Sequence, residues 1–225
     1  RSLHAGVRLI QNGWADALVT APVSKKAIHL AGSRMPGQTE LLQKLTSART
    51  VAMMLVSDVM KVGLTTIHLP LRRVARSLTG KLLESRLRTI HRALRTDWGI
   101  RNPRIAVLGL NPHAGENGDI GDEEQRIIIP TLRSLKSETF RVDGPFPSDG
   151  FFGNYRQEMW DAVVAMYHDQ GLIPLKYSSF GGAVNYTAGL PIIRTSPDHG
   201  TAFDIAGRGI ADTGSMAAAI KLALA

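Results

Sequence analysis

The sequence predicts an α/β protein with a mostly parallel sheet, and two patterns carry that prediction. Short apolar runs such as "VAMMLVS" (51–57) and "DAVVAMYH" (161–168) are continuous rather than alternating, which is typical of strands covered on both faces. Helical patterns lie between these runs, and strands that alternate with helices favour a sheet flanked by helices. A two-lobed α/β architecture is the arrangement that this alternation favours.

The predicted elements follow one another along the whole chain. Strands are expected at 15–23, 51–57, 61–69, 104–110 and 161–168, with a pair at 183–189 and 190–196. Helices are expected at 4–13, 39–46, 72–96, 122–136 and 214–225. The helix at 72–96 repeats its apolar residues at three- and four-residue spacing, which indicates one apolar face and a basic outer face.

Composition and charge exclude several classes of function. The formal net charge is +8, but no aromatic residues alternate with the arginines of segment 72–104, so we expect a solvated helix surface rather than a nucleic-acid-binding arm. This chain contains no cysteine, which excludes disulfides, thiolate metal ligands and cysteine nucleophiles within it. We find neither a membrane-length apolar run nor a signal-peptide pattern, and therefore expect no membrane contact and a cytoplasmic protein. The chain begins without methionine, so we expect it to be part of a longer protein.

Three histidines share one position relative to the predicted sheet. His68, His113 and His168 each lie at or just past the C-terminal end of a predicted buried strand. Ligands of open α/β sheets bind at that edge. Three neutral imidazoles converging there would bind a divalent metal and leave positions open for substrate. The alternative for each histidine is a hydrogen-bonded structural role.

Acidic residues near these histidines have two interpretations. Asp169 directly follows His168 and could complete a metal shell or orient the imidazole. Asp149 is a second candidate, with the N-cap of a helix at 150–157 as its structural alternative. The acidic residues at 122–124 suit the first turn of the helix that follows the glycine-rich loop 109–121, where the structural role is capping.

Two cations and an amide follow strands in the C-terminal part of the chain. Lys176 lies eight residues past His168, Asn185 lies in "AVNYT", and Arg194 ends "LPIIR". Beside a metal, such groups indicate an anionic substrate.

Four long motifs resemble one known family. "TTIHLPL", "GLNPHAGENGDIGDEE", "AMYHDQGLIPLKY" and "GAVNYTAGLPIIRTSPDHGTAFDIAGRG" are similar to those of the 4-hydroxythreonine-4-phosphate dehydrogenase family of pyridoxal phosphate biosynthesis. The resemblance implies the two-lobed α/β/α fold of isocitrate and isopropylmalate dehydrogenases, and homodimers whose active sites draw on both subunits. It also implies that 1–34 and 171–225 belong to the cofactor-side lobe, that 35–170 form the lobe with the metal ligands, and that an N-terminal segment precedes residue 1.

The resemblance also implies a role for individual residues. The metal, which would be Zn, Co or Mg, is expected on His68, His113 and His168. Segment 198–212 is similar to the adenosine-binding loop of those dehydrogenases and is expected to bind NAD or NADP, for which the alternative is a turn and a short helix. The residues expected to bind substrate are Gln38, Thr39, Lys176, Asn185 and Arg194, and those expected to bind the cofactor are His199, Gly200, Thr201, Ala202, Asp204 and Asp212.

One residue departs from the family pattern. The family reads glycine-histidine-threonine-glutamate where this chain reads "GQTE", so Gln38 replaces a histidine. A glutamine forms hydrogen bonds but carries no titratable proton. The substrate contact at this position therefore differs from that of the family.

These features predict an NAD- and metal-dependent oxidation, with decarboxylation, of 4-phosphooxy-L-threonine. The general base is left open among Asp169, Asp149 and Lys176. The first alternative is a paralogue that oxidises phosphorylated four-carbon sugar acids such as D-threonate or D-erythronate 4-phosphate. The second is a non-catalytic protein that binds metal and phosphate.

Overall fold

The computed structural model of the chain describes residues 1–30, 32, 35, 37–138, 140–179 and 181–225, without the side chains of Lys25 and His29. The strands in the described ranges are β1 (Ala17–Val19), β2 (Ala52–Val56), β3 (Lys61–Leu64), β4 (Arg104–Leu108), β5 (Arg141–Phe146), β6 (Ala162–Ala165), β7 (Val184–Ala188) and β8 (Ile193–Pro197). The α-helices are α1 (Ser2–Gln11), α2 (Lys25–Leu30), α3 (Gln38–Leu45), α4 (Leu71–Ser77), α5 (Gly80–Thr96), α6 (Ile129–Lys136), α7 (Ser148–Gly153), α8 (His168–Ser179) and α9 (Gly214–Leu224).

The described strands form one mixed sheet in the order β1-β8-β7-β2-β3-β6-β4-β5. Strands β3, β6, β4 and β5 are parallel, β1 is parallel to β8, and the pairs β8–β7, β7–β2 and β2–β3 are antiparallel. Because β6 lies between β3 and β4, the loops that follow these three strands leave the sheet at the same edge. That edge is where the three candidate histidines were expected.

Helices and apolar side chains cover both faces of the sheet, as the continuous apolar runs predict. On one face α5 and α6 pack over the strands through buried residues such as Leu87, Ile90 and Leu135. On the other face Leu172 and Leu175 of α8 pack with Leu64 of β3. The α/β class predicted from the sequence is therefore confirmed.

Three predicted elements differ from the structure. The helix at 72–96 is two helices, because Thr79 is an N-cap whose Oγ1 accepts a hydrogen bond from Leu82 N at 3.1 Å and starts α5 afresh. The helix at 122–136 begins later than expected, with a π-helical turn at Glu124–Ile128 before α6. The strand at 161–168 ends at Ala165, and His168 begins α8.

Strand β5 and helices α2 and α8 are absent from the sequence prediction, and α7 appears there only as the helix at 150–157. In β5, Gly144 and Pro145 interrupt the apolar pattern, and proline is tolerated there because β5 lies at the edge of the sheet. In α8, Gly171 and Pro174 are typical helix breakers, yet Gly171 is needed because a Cβ there would lie 2.5 Å from Val62 Cγ1. Tertiary packing overrides local propensity at both places.

No helix in the described ranges is both long enough and apolar enough to span a membrane. The predicted lobe boundary falls at Arg34, which lies outside the described residues, so the division of the chain into 1–34 with 171–225 and 35–170 stays a prediction.

Candidate active site

Two of the three predicted metal ligands meet at the edge of the sheet. His68 follows β3 and His168 follows β6, and their ring centroids are 5.6 Å apart. Imidazole nitrogens bind zinc at about 2.1 Å, so two rings on one tetrahedral ion have centroids roughly 5 Å apart. The separation of this pair therefore fits two ligands of a single ion, and both rings lie against a cavity of about 400 Å³.

Asp169 orients the second of these rings. Its Oδ1 lies 2.7 Å from His168 Nδ1. Because a carboxylate only accepts hydrogen bonds, Nδ1 carries the proton, which leaves Nε2 as the atom that would bind a metal. The structure therefore places Asp169 behind the imidazole, where it orients the ring; this is one of the two interpretations that the sequence offered for it.

His113 is not part of this pair. It is exposed on a short left-handed turn, Pro112–Gly118, in which residues 113–117 all have positive φ. Within the described ranges, no group of three or more histidine or acidic residues is placed to hold a metal ion. His68 and His168 thus come together within one chain, whereas His113 faces outward from it.

The left-handed turn is held by a buried carboxylate. Glu124 has no exposed surface, and its Oε1 accepts hydrogen bonds from Leu110 N at 2.7 Å and Asn111 N at 2.8 Å. Its Oε2 accepts from Asn111 Nδ2 at 2.9 Å, and Gly115, at φ +80°, passes so close that a Cβ would lie 2.6 Å from that oxygen. Glu124 therefore fixes the loop that carries His113 instead of capping its own helix.

Replacing Glu124 by alanine should lower the free energy of unfolding by about 3 kcal/mol, because three partly buried donors lose a buried carboxylate acceptor. Urea unfolding measures the change. Asp122→Ala is the matched control, since its ion pair with Arg126 is largely exposed and is worth about 0.5 kcal/mol or less. Equal losses in the two variants would show that Glu124 does not hold the turn.

Four predicted site residues line one larger cavity. It has a volume of about 760 Å³, and Gln38 and Thr39 at the start of α3, His68 and Asn185 all face it. Asn185 lies within β7, inside the strand predicted at 183–189. Residues distant in the sequence therefore converge on a space large enough for a four-carbon phosphate ester.

Arg194 lies behind the wall of this cavity. It is a β8 residue, and only 4% of it is exposed. Its Nε and Nη2 donate to Thr20 Oγ1 at 3.2 and 2.8 Å, and its Nη1 donates to Thr187 Oγ1 at 3.0 Å. Nη2 also donates to Gln38 Oε1 at 3.2 Å, while Gln38 Nε2 donates to Ala21 O at 3.0 Å. Arg194 lies in the strand predicted at 190–196, which the structure shows as β8.

The guanidinium of Arg194 has only neutral partners in the described part of the chain. Burial alone lowers its pKa to about 10, so at neutral pH it remains charged. A buried cation without an acidic partner is costly unless an anion binds near it. The arrangement is therefore that of an anion site with Gln38 between the cation and the cavity.

A second cavity, of about 770 Å³, lies beside the predicted cofactor loop. His199, Gly200, Ala202 and Asp212 line it, whereas Thr201 and Asp204 are exposed and do not. A short 3₁₀ helix, Phe203–Ile205, lies in this loop, and its N-cap is Ala202 rather than a polar side chain.

Lys176 lines this cavity of about 770 Å³ rather than the one that contains Gln38 and Asn185. Its Nζ lies 2.9 Å from Asp198 Oδ2, and both residues line the wall. Lys176 therefore lies beside the predicted cofactor loop, apart from the cavity that contains Gln38, Thr39 and Asn185.

Asp149 is exposed within the first turn of α7, so the predicted N-cap of a helix at 150–157 is wrong. The helix starts earlier, at Ser148, whose Oγ accepts a hydrogen bond from Gln170 Nε2 at 2.7 Å. Gln170 also donates to Gly109 O and accepts from Met166 N, so it ties the ends of β4 and β6 to α7. Sequence reasoning missed Gln170, although it lies in the "YHDQG" motif beside His168.

The fold belongs to a known class of α/β dehydrogenase structures. An isocitrate dehydrogenase from Methylococcus capsulatus superimposes with a TM-score of 0.53 at 16% identity, over 98% of this chain and 70% of that protein. At this identity the likeness concerns the fold alone, and it confirms the predicted isocitrate dehydrogenase type.

The chain belongs to the family described as pyridoxal phosphate biosynthetic protein PdxA, which it matches over residues 1–223. It is 51% identical over 219 residues to a 4-hydroxythreonine-4-phosphate dehydrogenase of Acidithiobacillus ferrooxidans, covering 97% of this chain and 66% of that protein. A crystal structure of the enzyme of that name from Klebsiella pneumoniae superimposes with a TM-score of 0.92 at 48% identity, over 99% of this chain and 68% of that one. The chain thus spans about two thirds of the length of these relatives.

Proposed function

We propose that the protein containing this chain oxidises and decarboxylates 4-phosphooxy-L-threonine to 3-amino-2-oxopropyl phosphate, with NAD as oxidant and a divalent metal, in pyridoxal 5'-phosphate biosynthesis. The observation that carries the proposal is the cavity in which Gln38, Thr39, His68 and Asn185 converge in front of the buried Arg194. The names of the relatives at about 50% identity support the same reaction.

The residues of this chain offer the substrate two kinds of contact, neutral hydrogen bonds and a positive charge. Gln38 presents its amide in an orientation fixed by Arg194 on one side and Ala21 O on the other. With Thr39 and Asn185 it supplies neutral hydrogen-bonding groups for the substrate's oxygens, while Arg194 supplies the positive charge behind them. Holding the anionic group there leaves the secondary alcohol facing His68.

The His68–His168 pair supplies two imidazole ligands at a separation that suits one ion. A divalent metal held there supplies Lewis-acid polarisation of the substrate alcohol and of the ketone that follows, and NAD supplies the hydride acceptor. Histidine ligands favour zinc or cobalt over magnesium, which prefers oxygen. Asp169 keeps the His168 ring oriented for this role.

We place His113 of the partner subunit as the third ligand of that site. His113 is exposed on a turn fixed by Glu124, while the His68–His168 pair lies open at the same edge of the sheet. An exposed ligand on a rigid turn suits a site completed across the interface of a homodimer, in which each subunit gives and receives one histidine.

The alcohol loses its hydride to NAD and its proton to a base, and the resulting 3-oxo acid releases carbon dioxide. We assign the cofactor to the cavity formed by Lys176, Asp198, His199 and Asp212. Among the candidate bases, Asp169 adjoins the histidine pair, Lys176 is paired with Asp198, and Asp149 lies exposed on α7. Because Asp169 is engaged behind the His168 ring, on the side away from Nε2, we keep all three residues as candidate bases. NAD and phosphorylated acids are cytoplasmic metabolites, so we expect the protein to act in the cytoplasm.

The test is NADH formation by the full-length protein with 4-phosphooxy-L-threonine and divalent metal, together with identification of the products. We expect carbon dioxide and the amino ketone phosphate in equal amounts with NADH. Absence of turnover with every phosphorylated hydroxy acid, despite metal and NAD binding, would contradict catalysis and favour a non-catalytic metal- and phosphate-binding protein.

Gln38 favours a second candidate substrate class, the phosphorylated four-carbon sugar acids. Its amide is held by Arg194 and Ala21 and adds no titratable charge to the wall of the cavity. A hydroxyl in place of the substrate's amino group would meet this neutral wall equally well. Comparing kcat/KM for 4-phosphooxy-L-threonine with that for D-threonate and D-erythronate 4-phosphates separates the two classes, and turnover of the sugar acids alone would replace the first proposal.

A further inference from the structure

The cavity that contains Gln38, Thr39, His68 and Asn185 has a second cationic wall, on α5. Arg86 and Arg49 both line it, and Glu40 is the acidic side chain among its lining residues in the described ranges. The positive charge of this space therefore does not come from Arg194 alone.

Arg86 is held in place by the backbone. Its Nη1 donates a hydrogen bond to Val51 O, the residue that precedes β2, and the side chain is half-buried. Burial is the cause that lowers its pKa, and in the described part of the chain no carboxylate forms an ion pair with it. The guanidinium thus lines the cavity with donors beyond the one that Val51 O accepts, and it forms no ion pair with Glu40, the acidic residue of that lining.

Arg88, two residues further along α5, is an arginine of the same helix whose role is structural. Its Nε lies 2.8 Å from Glu84 Oε1 and its Nη2 lies 2.7 Å from Glu138 Oε1. Arg88, on the outer face of α5, is paired with two carboxylates, whereas Arg86, on the inner face, has no acidic partner among the described residues. The two arginines therefore form a matched pair for a test.

We propose that Arg86 is a specificity-determining residue that binds one anionic end of the substrate, while Arg194 acts behind Gln38 on another wall. Two separated cations suit a ligand with two anionic groups, such as a phosphorylated hydroxy acid that carries both a phosphate and a carboxylate. The inference rests on the proposed function for the identity of the substrate, but the anion site itself rests on the cavity alone.

The decisive variant is Arg86→Gln in the full-length protein, because glutamine can still donate to Val51 O while the charge is lost. We expect the KM for 4-phosphooxy-L-threonine to rise roughly 30-fold with kcat nearly unchanged, as for a ground-state anion contact. Arg86→Lys keeps the positive charge but lacks the planar guanidinium, so it should raise KM roughly five- to tenfold. Arg88→Gln should leave KM unchanged, and if Arg86→Gln does not fold, Arg86→Lys decides the question.

The unphosphorylated acid, L-4-hydroxythreonine, shows which end is bound. If Arg86→Gln raises KM for the phosphorylated acid but not for this one, Arg86 binds the phosphate. If it raises KM equally for both acids, Arg86 binds the carboxylate. An unchanged KM in both Arg86 variants, or an equal loss in Arg88→Gln, overturns the inference while the proposed function stands.

A wild-type protein without turnover would instead contradict the proposed function. The inference is then decided by calorimetric titration with inorganic phosphate. It survives if Arg86→Gln binds phosphate at least tenfold more weakly than Arg88→Gln, and it fails if the two variants bind equally.

Discussion

Replacing Arg194 by methionine is expected to lower kcat/KM for the phosphorylated substrate by roughly 100- to 1,000-fold, because the buried positive charge behind Gln38 is lost. The guanidinium is 4% exposed and donates to Thr20, Thr187 and Gln38. No other cation in the described ranges contacts Gln38. The effect on binding should therefore exceed that of any surface arginine.

Steady-state kinetics and the phosphate-induced rise in Tm measure this effect together. A ligand that binds only the folded state raises Tm, so the variant should lose both the activity and the rise in Tm with inorganic phosphate. Arg194→Lys keeps a charge but not the planar fork and should retain part of both. A methionine variant with normal kcat/KM would show that Arg194 is a structural residue.

The pKa of Arg194 also predicts how stability depends on pH. Burial lowers this pKa to about 10 in the folded state, below the ordinary arginine value that the unfolded chain keeps. Between these values the unfolded chain binds more protons, so the free energy of unfolding contributed by this group rises with pH across that window. Subtracting the urea-unfolding curve of Arg194→Met from that of the wild type isolates the contribution. A difference that stays constant from pH 9.5 to pH 11 would contradict the lowered pKa.

Alanine at His68 or at His168 is expected to abolish metal-dependent turnover, with a loss of roughly 1,000-fold or more, because removing either ligand opens the coordination shell. The metal content of the purified variants should fall with the activity. His91→Gln is the control, since His91 stacks on Phe140 at 4.1 Å, away from the sheet edge. Undiminished activity in either alanine variant would refute the metal site.

His113→Ala should be equally inactive, although His113 is not paired with His68 or His168 in one chain. Mixing this variant with His68→Ala after reversible dissociation should restore about a quarter of the wild-type activity, because half of the dimers would be mixed and each would contain one intact site. Activity that stays at zero after mixing, with mixed dimers shown to form, would contradict a site shared between subunits.

The sequence predicts the residues of the candidate site better than their arrangement. The continuous apolar runs and the strand-end histidines lead to the edge of the sheet at which His68 and His168 meet, because neighbouring parallel strands end at the same edge. The separation of His113 from the other two depends on a left-handed turn stabilised by Glu124, and positive φ at Ala114 and Glu116 has no local signal in side chains of this kind.

The charge pattern of segment 72–104 shows a similar limit. Its arginines have the same chemical character in the sequence, but Arg86 turns inward to Val51 O, whereas Arg88 forms ion pairs outside. Which face each one occupies depends on the break at Thr79, which restarts the helix and sets its rotation. The pairing of Lys176 with Asp198 likewise depends on α8, a helix that contains both glycine and proline.

Removal and return of the metal tests the central claim most directly. The full-length protein is stripped with a chelator, and NADH formation from 4-phosphooxy-L-threonine is followed as zinc, cobalt or magnesium is added back. We expect no turnover in the stripped protein and full recovery at about one ion per subunit, with zinc or cobalt more effective than magnesium. Full turnover in the presence of the chelator, with the metal shown to be absent, would contradict the account of the site.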